Sequence, residues 1–175
     1  MPISDQSYLN WQKRLASRTW YRRFWVFCGI YSVALIVLLS LYLLAEGEIK
    51  VVMLAFLAFV LGRLIISPLI FLAYKKTRPY QKLNFTTFHS WFFSSVTKRN
   101  SSFPSDHAIS LSAISTVLIY YYPYLAIWLA VLCAVNGWAR VVLGYHYILD
   151  VFVGWVLGIL SAFVIIYWLG PLLFR

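Results

Sequence analysis

Long apolar stretches alternate with short polar segments along the chain, and this pattern predicts membrane-spanning helices. Five apolar stretches cover about 24–45, 51–74, 105–122, 125–143 and 148–170. An α-helix rises 1.5 Å per residue, so about 20 apolar residues are enough to cross the hydrocarbon core of a bilayer. We therefore predict an all-α integral membrane protein in which residues 24–175 form a single compact bundle of five transmembrane helices.

The segment before the first stretch has a different pattern, in which aromatic and basic residues are mixed. Residues 6–23 read QSYLNWQKRLASRTWYRR. A helix of this composition places its aromatic side chains in lipid and its basic side chains among the headgroups. We therefore expect residues 1–23 to form an interfacial amphipathic helix outside the bundle.

The composition is typical of a membrane protein and limits the kinds of binding partner that we expect. The chain is 62% hydrophobic and 11% charged, whereas about 25% of the residues of a soluble domain are charged. A net charge of +10 would suggest nucleic acid as the partner of a soluble protein. In a membrane protein the matching anions are lipid headgroups or a phosphorylated substrate. We therefore expect the bilayer and a membrane lipid as partners, expect no nucleic acid, and make no prediction of oligomeric state.

The order of the five spans places three polar segments on the same side of the membrane. The second span ends, the third begins and the fourth passes into the fifth on that side. The segments are KKTRPY (75–80), FPSDHA (103–108) and ARVVLGYHYILD (139–150). We predict that they converge on one site, with about residues 75–104 as its loop.

The first two segments contain groups that suit an anion. Arg78 follows two lysines at a helix-ending proline, although such cations are also common at the flank of a membrane span. Ser105 after a proline predicts a helix start, where N–H groups and the helix dipole favour a phosphate. His107 falls in the first turn, where it is either an interfacial side chain or an acid–base group.

The third segment contains a histidine and a carboxylate at helical spacing. A helix would place His146 and Asp150 on one face, where the carboxylate could fix the imidazole tautomer and raise its nucleophilicity. Alternatively, the pair only ties two helices together. Arg140 adds a forked cation for phosphate oxygens. This set of side chains suits phosphoryl transfer through a histidine. Because it contains no metal-ligand set, we expect no metal and no cofactor.

These segments resemble the three motifs of the type 2 phosphatidic acid phosphatases, relatives of the vanadium haloperoxidases, which read KxxxxxxRP, PSGH and SRxxxxxHxxxD. The resemblance covers about residues 71–150. It implies that the phosphohistidine-forming nucleophile, its orienting partner and the general acid are His146, Asp150 and His107. It also implies that the phosphate is held by Arg78, Ser105 and Arg140.

The sequence departs from these motifs at three positions. The motif lysine falls on Phe71, and Lys75, one turn later on the same helical face, is expected to replace it in phosphate binding. The serine before Arg140 is Ala139, which removes one hydrogen bond. The motif glycine is Asp106, whose backbone N–H would still reach a phosphate and whose carboxylate suits a helix start.

The residues that occupy the motif positions also indicate a substrate class. PSDH followed by ARVxxGxHxxxD looks most like the bacterial undecaprenyl-pyrophosphate phosphatases of that family. The resemblance therefore implies a metal-independent lipid phosphatase of the cell envelope, with undecaprenyl pyrophosphate as the first candidate. Lipid A 1-phosphatases and phosphatidylglycerophosphate phosphatases are near relatives and supply alternative substrates. Two other classes of function are a catalytically inactive lipid-phosphate-binding protein and a small transporter or channel.

Arg63 lies near the middle of the second span, where an arginine is costly and usually functional. The sequence shows no obvious acidic partner for it. We therefore expect this side chain to snorkel to the interface or to bond with carbonyl groups freed by Pro68.

The distribution of basic residues and the family resemblance predict opposite membrane faces for the site. Most of the 15 Lys and Arg residues fall on the side of the three polar segments, which the positive-inside rule assigns to the cytoplasm. The resemblance implies the outer leaflet. We adopt the second assignment, a multi-pass protein of the bacterial plasma membrane with its site on the periplasmic or extracellular face.

Overall fold

Helices form the regular structure of the described parts of the chain. The computed structural model describes Ser7, Asn10, Trp11, Arg14, residues 17–83 and residues 101–174, and these contain no strand. The α-helices are α1 (Thr19–Ala45), α2 (Ile49–Phe59), α3 (Ser67–Ala73), α4 (Pro79–Leu83), α5 (Asp106–Tyr121), α6 (Ala126–Val142) and α7 (Ile148–Leu173). A π-helical segment, Val60–Ile66, joins α2 to α3, and a 3-10 turn, Pro123–Leu125, precedes α6.

Four helical stretches in the described chain are long and apolar enough to cross a membrane. They are α1, the continuous run from α2 to α3, the run from Pro123 to Val142, and α7. The all-helical membrane architecture is confirmed. α5 covers the third predicted span, but its 16 residues extend about 24 Å, less than the roughly 30 Å of a hydrocarbon core. The count of five spans therefore stays a prediction.

The N-terminal boundary differs from the predicted one. Arg18 has an extended backbone, with φ of −78° and ψ of 106°, and α1 begins immediately after it. The division predicted at residue 23 therefore falls inside α1. Trp11 is helical and packs edge-on against Trp138 of α6, with 5.8 Å between ring centres. Other residues of the predicted amphipathic helix, such as Tyr8 and Leu15, lie outside the described residues.

α5 lies inside the bundle, in contact with α2, α6 and α7. Its packing against α7 is close because Gly154 and Gly158 are spaced one turn apart, as in small-residue contacts between membrane helices. A side-chain carbon at Gly158 would lie only 2.0 Å from the Ser112 hydroxyl oxygen. The backbone N–H of Ser105 donates to the Asp150 carbonyl oxygen at 3.0 Å. The beginnings of α5 and α7 are therefore held side by side.

A buried amide joins α1 to α6. Asn136 Nδ2 donates to the Gly29 carbonyl oxygen at 3.0 Å and to the Ser32 hydroxyl at 2.9 Å. Since the bilayer interior supplies no water, hydrogen bonds between helices satisfy such groups there. Asn136 lies one helical turn before Arg140, so this contact fixes the part of α6 that carries the arginine.

The second membrane stretch is distorted next to its proline. Pro68 has no N–H, and its ring crowds the carbonyl of the residue four positions earlier, which lies in the π-helical segment. Single π-helical turns inside longer helices are frequent at functional sites. This one contains Arg63.

Candidate active site

The three polar segments meet at one end of the bundle. α3 and α6 end there, and α5 and α7 begin there. Side chains from all three segments line one space, here called the polar cavity: Ser67, Phe71, Arg78, Ser101, Phe103, Pro104, Asp106, His107, Arg140, Tyr145 and His146. The structure therefore brings together the two predicted histidines and the two predicted arginines.

A helix-ending motif places His146 in the cavity. α6 ends at Val142, and Gly144 follows with φ of +75°, a conformation that favours glycine. The backbone N–H groups of Tyr145 and His146 both reach the Arg140 carbonyl oxygen, at 3.0 and 3.3 Å. Such a Schellman-type ending satisfies the last carbonyl groups of a helix. The order Arg-x-x-x-Gly-x-His therefore places the imidazole close to the arginine of the same segment.

The tautomer of His146 is set by a backbone carbonyl. His146 Nδ1 lies 2.6 Å from the Ser102 carbonyl oxygen. Because a carbonyl oxygen only accepts, Nδ1 carries the proton and Nε2 carries the lone pair. Burial lowers the pKa of His146 well below its usual value, and the charge of Arg78 acts in the same direction. The imidazole is therefore neutral near pH 7, with Nε2 available as a nucleophile.

Asp150 does not hold His146 in the way that we predicted. α7 begins only at Ile148, so His146 lies outside the helix and the four-residue spacing does not place the two side chains on one face. Asp150 is fully buried and accepts hydrogen bonds from Lys76 Nζ at 2.8 Å and from the Tyr147 backbone N–H at 2.9 Å. Its carboxylate caps α7 and anchors a lysine, while the orienting role falls to the backbone carbonyl.

Lys76, rather than the predicted Lys75, is the lysine that reaches this network. α3 ends at Ala73, so the helical rule that aligned Lys75 with Phe71 does not apply. Lys75 is exposed, and its ammonium lies 5.8 Å from the centre of the Phe71 ring. The Lys76 ammonium pairs instead with Asp150.

The backbone of Lys76 also supports the nucleophile. Its N–H donates to the Ser101 hydroxyl at 3.0 Å, and its carbonyl accepts from the Ser102 N–H at 2.7 Å. Ser102 is the residue whose carbonyl holds His146. Lys76 therefore connects the carboxylate of Asp150 to the chain segment that sets the imidazole tautomer.

This arrangement predicts unequal effects of replacing the two lysines. Lys76→Ala leaves the Asp150 carboxylate buried without its cation, whereas Lys75→Ala removes an exposed side chain. We expect the first to lower the free energy of unfolding by about 2–3 kcal/mol, somewhat less than for a fully buried pair because Lys76 is partly exposed. The second should change it by about 0.5 kcal/mol or less.

Thermal unfolding of the detergent-purified variants measures both effects. The double variant Lys76→Met/Asp150→Asn, which removes both charges, should recover part of the loss. Equal destabilisation by the two single lysine variants would show that the ion pair with Asp150 does not set the role of Lys76.

Two buried arginines supply positive charge to the polar cavity. Arg78 and Arg140 are 7% and 3% exposed. Burial lowers the pKa of Arg78, but Tyr80 and Asp106 oppose the shift, and a guanidinium keeps its proton near pH 7. The Arg140 guanidinium lies 6.0 Å from the Tyr145 ring centre. Fixed guanidinium groups of this kind suit the oxygens of a phosphate.

The beginning of α5 contributes two of its three predicted residues to the cavity. Ser105 has the extended backbone of a helix N-cap, which agrees with the predicted helix start. Its side chain is fully buried, forms no capping hydrogen bond and does not line the cavity. Asp106 and His107 do line it. The phosphate contact expected from the Ser105 hydroxyl therefore stays a prediction.

The structure corrects the interpretation of Arg63, which has an acidic partner. Arg63 Nη1 lies 3.7 Å from Asp106 Oδ2, and the side chains are 14% and 20% exposed. The Ser67 hydroxyl donates to the other oxygen of the same carboxylate. Ser67 follows Arg63 by four residues, so a polar pair on one face of an apolar helix was the signal that sequence reasoning missed.

An apolar groove of about 510 Å³ adjoins the polar cavity. Side chains of α1, α2 and α5 form its wall, which is aliphatic and aromatic except for Arg63, His107 and two serines. His107 lines both spaces. A volume of this size is typical of ligand pockets.

The described residues contain no group of three His, Cys, Asp or Glu side chains that could hold a metal ion. Among the described residues that line the polar cavity, the positive charge comes from Arg78 and Arg140. What this arrangement can do is bind a tetrahedral anion and present a neutral imidazole to it.

Comparison with known protein families finds a match over most of the chain. The model of the PAP2 superfamily matches residues 51–173. The chain belongs to the PAP2 superfamily. Members of this family are phosphatases that act on lipid phosphate esters, and the matched range contains all three polar segments. The resemblance drawn from the motifs is therefore confirmed.

Two solved structures share the fold. A transmembrane PAP2-type phosphatidylglycerolphosphate phosphatase from Bacillus subtilis has a TM-score of 0.69 and 20% sequence identity, over 94% of this chain and 85% of that chain. LpxE from Aquifex aeolicus has a TM-score of 0.66 and 18% identity, over 91% of this chain and 94% of that chain. At such low sequence identities, the structural similarity establishes the fold alone.

A sequence relative matches over a shorter range. The bacitracin transport permease protein BcrC of Bacillus licheniformis is 39% identical over 73 residues. The match covers 41% of this PAP2 chain and 35% of BcrC, so it spans about a third of that relative.

Proposed function

We propose that this chain is an integral-membrane phosphatase that cleaves a lipid pyrophosphate or phosphate monoester through a phosphohistidine on His146. The observation that carries the proposal is the His146 Nδ1 contact with the Ser102 carbonyl, which leaves the Nε2 lone pair in a cavity with Arg78 and Arg140. Catalysis of phosphoryl transfer depends chiefly on positioning and on charge stabilisation. The cavity supplies both.

In the first step of the proposed reaction, the Nε2 lone pair of His146 attacks the terminal phosphorus. The bond between phosphorus and the leaving oxygen breaks, its electron pair stays on that oxygen, and His107 donates a proton to it. In the second step, water attacks the phosphohistidine, the N–P electron pair returns to Nε2, and His107 accepts the proton of the water. Arg78 and Arg140 stabilise the charge on the equatorial oxygens in both steps.

Undecaprenyl pyrophosphate is the substrate that we propose, with undecaprenyl phosphate and inorganic phosphate as products. His107 borders both the polar cavity and the apolar groove, so a scissile bond at His107 would have the terminal phosphate on the side of the polar cavity and the rest of the lipid, ending in hydrocarbon, on the side of the groove. The solved phosphatidylglycerolphosphate phosphatase has the same fold, which makes that lipid the second candidate. Lipid A 1-phosphate is a further alternative.

For the membrane topology, we propose that α5 is a fifth crossing, surrounded by the other helices instead of lipid. The burial of α5 supports this, since nine of its 16 residues are buried inside the protein. A helix of about 24 Å that is enclosed by its neighbours does not have to match the thickness of the bilayer.

 We further propose that the site lies on the outer face of a bacterial plasma membrane. Labelling of a cysteine introduced at Glu48, on the opposite side from the polar cavity, with a membrane-impermeant reagent tests this, because the proposal predicts protection in intact cells.

Phosphate release from the detergent-purified protein tests the proposed function. The substrates are undecaprenyl pyrophosphate, phosphatidylglycerophosphate, lipid A 1-phosphate and phosphatidic acid, each measured with and without EDTA. We expect release from the pyrophosphate to be fastest and to persist in EDTA, since arginines supply the positive charge of the cavity. Binding of these lipids without turnover would favour the inactive lipid-binding alternative, and activity that EDTA abolishes and magnesium restores would contradict the histidine mechanism.

A further inference from the structure

Two side chains mark the boundary between the polar cavity and the apolar groove. His107 lines both spaces. Arg63 lines the groove, whereas its ion-pair partner Asp106 lines the polar cavity. A ligand that extends from His146 into the groove therefore passes His107 and enters a space that Arg63 also lines.

This order of side chains matches the order of groups in a lipid diphosphate. With the terminal phosphate at His146 and the bridging oxygen at His107, the chain-linked phosphate comes next, followed by hydrocarbon. We propose that Arg63 binds the chain-linked phosphate and thereby selects lipid diphosphates over lipid monophosphates. This inference rests on the proposed function, because it takes His146 as the group that attacks the terminal phosphate.

A lipid monophosphate offers Arg63 no such partner. Its leaving oxygen is bonded directly to carbon, so the first methylene groups would lie where a diphosphate has its second phosphate. A guanidinium against hydrocarbon in the membrane interior is unfavourable, whereas phosphate oxygens accept charge-assisted hydrogen bonds from it. The same side chain therefore favours one substrate class and disfavours the other.

Asp106 and Ser67 act as positioning residues for Arg63. The carboxylate pairs with the guanidinium and also accepts the Ser67 hydroxyl, so it is held from the second membrane stretch at two points. A guanidinium held in place before the ligand arrives loses less conformational freedom on binding. This gives a reason for an aspartate at the position where the family motif has glycine.

Hydrolysis of two lipids with the same chain tests the inference. Farnesyl diphosphate and farnesyl phosphate are compared by kcat/KM for the wild type, Arg63→Gln and the charge-neutral double variant Arg63→Gln/Asp106→Asn. We expect both variants to lose about 10- to 100-fold on the diphosphate, the range for removal of a charged hydrogen bond. On the monophosphate they should change by about threefold or less.

The double variant is the control for a folding defect, because it removes both charges and so leaves no unpaired buried carboxylate. Lys75→Gln, which removes an exposed cation, is the matched control and should leave the substrate ratio unchanged. Equal losses on both lipids, or no loss on either, in a folded double variant would overturn the role of Arg63. Absence of wild-type hydrolysis of both lipids would overturn the proposed function as well, so the two failures are distinguishable.

Discussion

His146→Ala is expected to reduce lipid phosphate hydrolysis by a factor on the order of 10⁴ or more, because it removes the nucleophile of the proposed reaction. The imidazole is buried, held through Nδ1 by the Ser102 carbonyl, and neutral because burial lowers its pKa. Phosphate release by the purified variant measures the effect.

Two controls separate chemistry from folding in this experiment. Thermal unfolding in detergent should show that His146→Ala still folds, since the helix ending at Gly144 does not depend on the imidazole. Substrate binding by the folded variant should be retained through Arg78 and Arg140. Residual activity above about a hundredth of wild type in a folded variant would contradict the assignment of His146 as nucleophile.

His107→Ala should have the second-largest effect, and its size should depend on the leaving group. A general acid contributes about 10²–10⁴-fold, and it matters most where the leaving group is a poor one. A phosphate monoester of an alcohol expels an alkoxide, whereas a pyrophosphate expels a phosphate monoester that leaves more readily. The loss should therefore be greatest for phosphatidic acid, smaller for a lipid pyrophosphate and smallest for an aryl phosphate with an acidic phenol.

The leaving-group series distinguishes acid catalysis from binding. Rates for the three substrates are measured with the wild type and with His107→Ala under the same detergent conditions. If His107 only held the phosphate or the fold, the variant would lose the same factor on all three. Equal losses would therefore place the acid elsewhere.

Hydropathy and the order of the spans were sufficient to predict where the site forms. Apolar stretches of membrane length, counted in order, placed the segments around Arg78, His107 and His146 on one side, and the structure brings them to one cavity. The motifs then identified the family. These inferences succeed because the lengths of the apolar stretches and their order can be counted directly in the sequence.

Predictions that relied on helical spacing failed where a helix ended. Lys75 was aligned with Phe71 by the rule for one helical face, but α3 ends at Ala73. His146 was paired with Asp150 by the same rule, but α7 begins at Ile148. Helix ends depend on local capping contacts, which apolar patterns locate only to within a few residues.

Other contacts join parts of the chain that the sequence does not relate. The Ser102 carbonyl holds His146 through the backbone, so no side-chain identity signals the contact. Arg63 and Asp106 meet because α5 packs beside the distorted second membrane stretch. Such pairs follow from packing, and only the Ser67 position, one turn from Arg63, offered a local signal.

Trapping the phosphoenzyme is the most direct test of the central claim. A lipid pyrophosphate labelled in its terminal phosphate is mixed with the purified protein, the reaction is quenched with alkali during the first turnover, and the peptides are mapped. We predict label on His146 through a bond that survives alkali and is lost in acid, and no label in His146→Ala. Label on a different residue, or complete turnover without a labelled protein at any time, would contradict the mechanism.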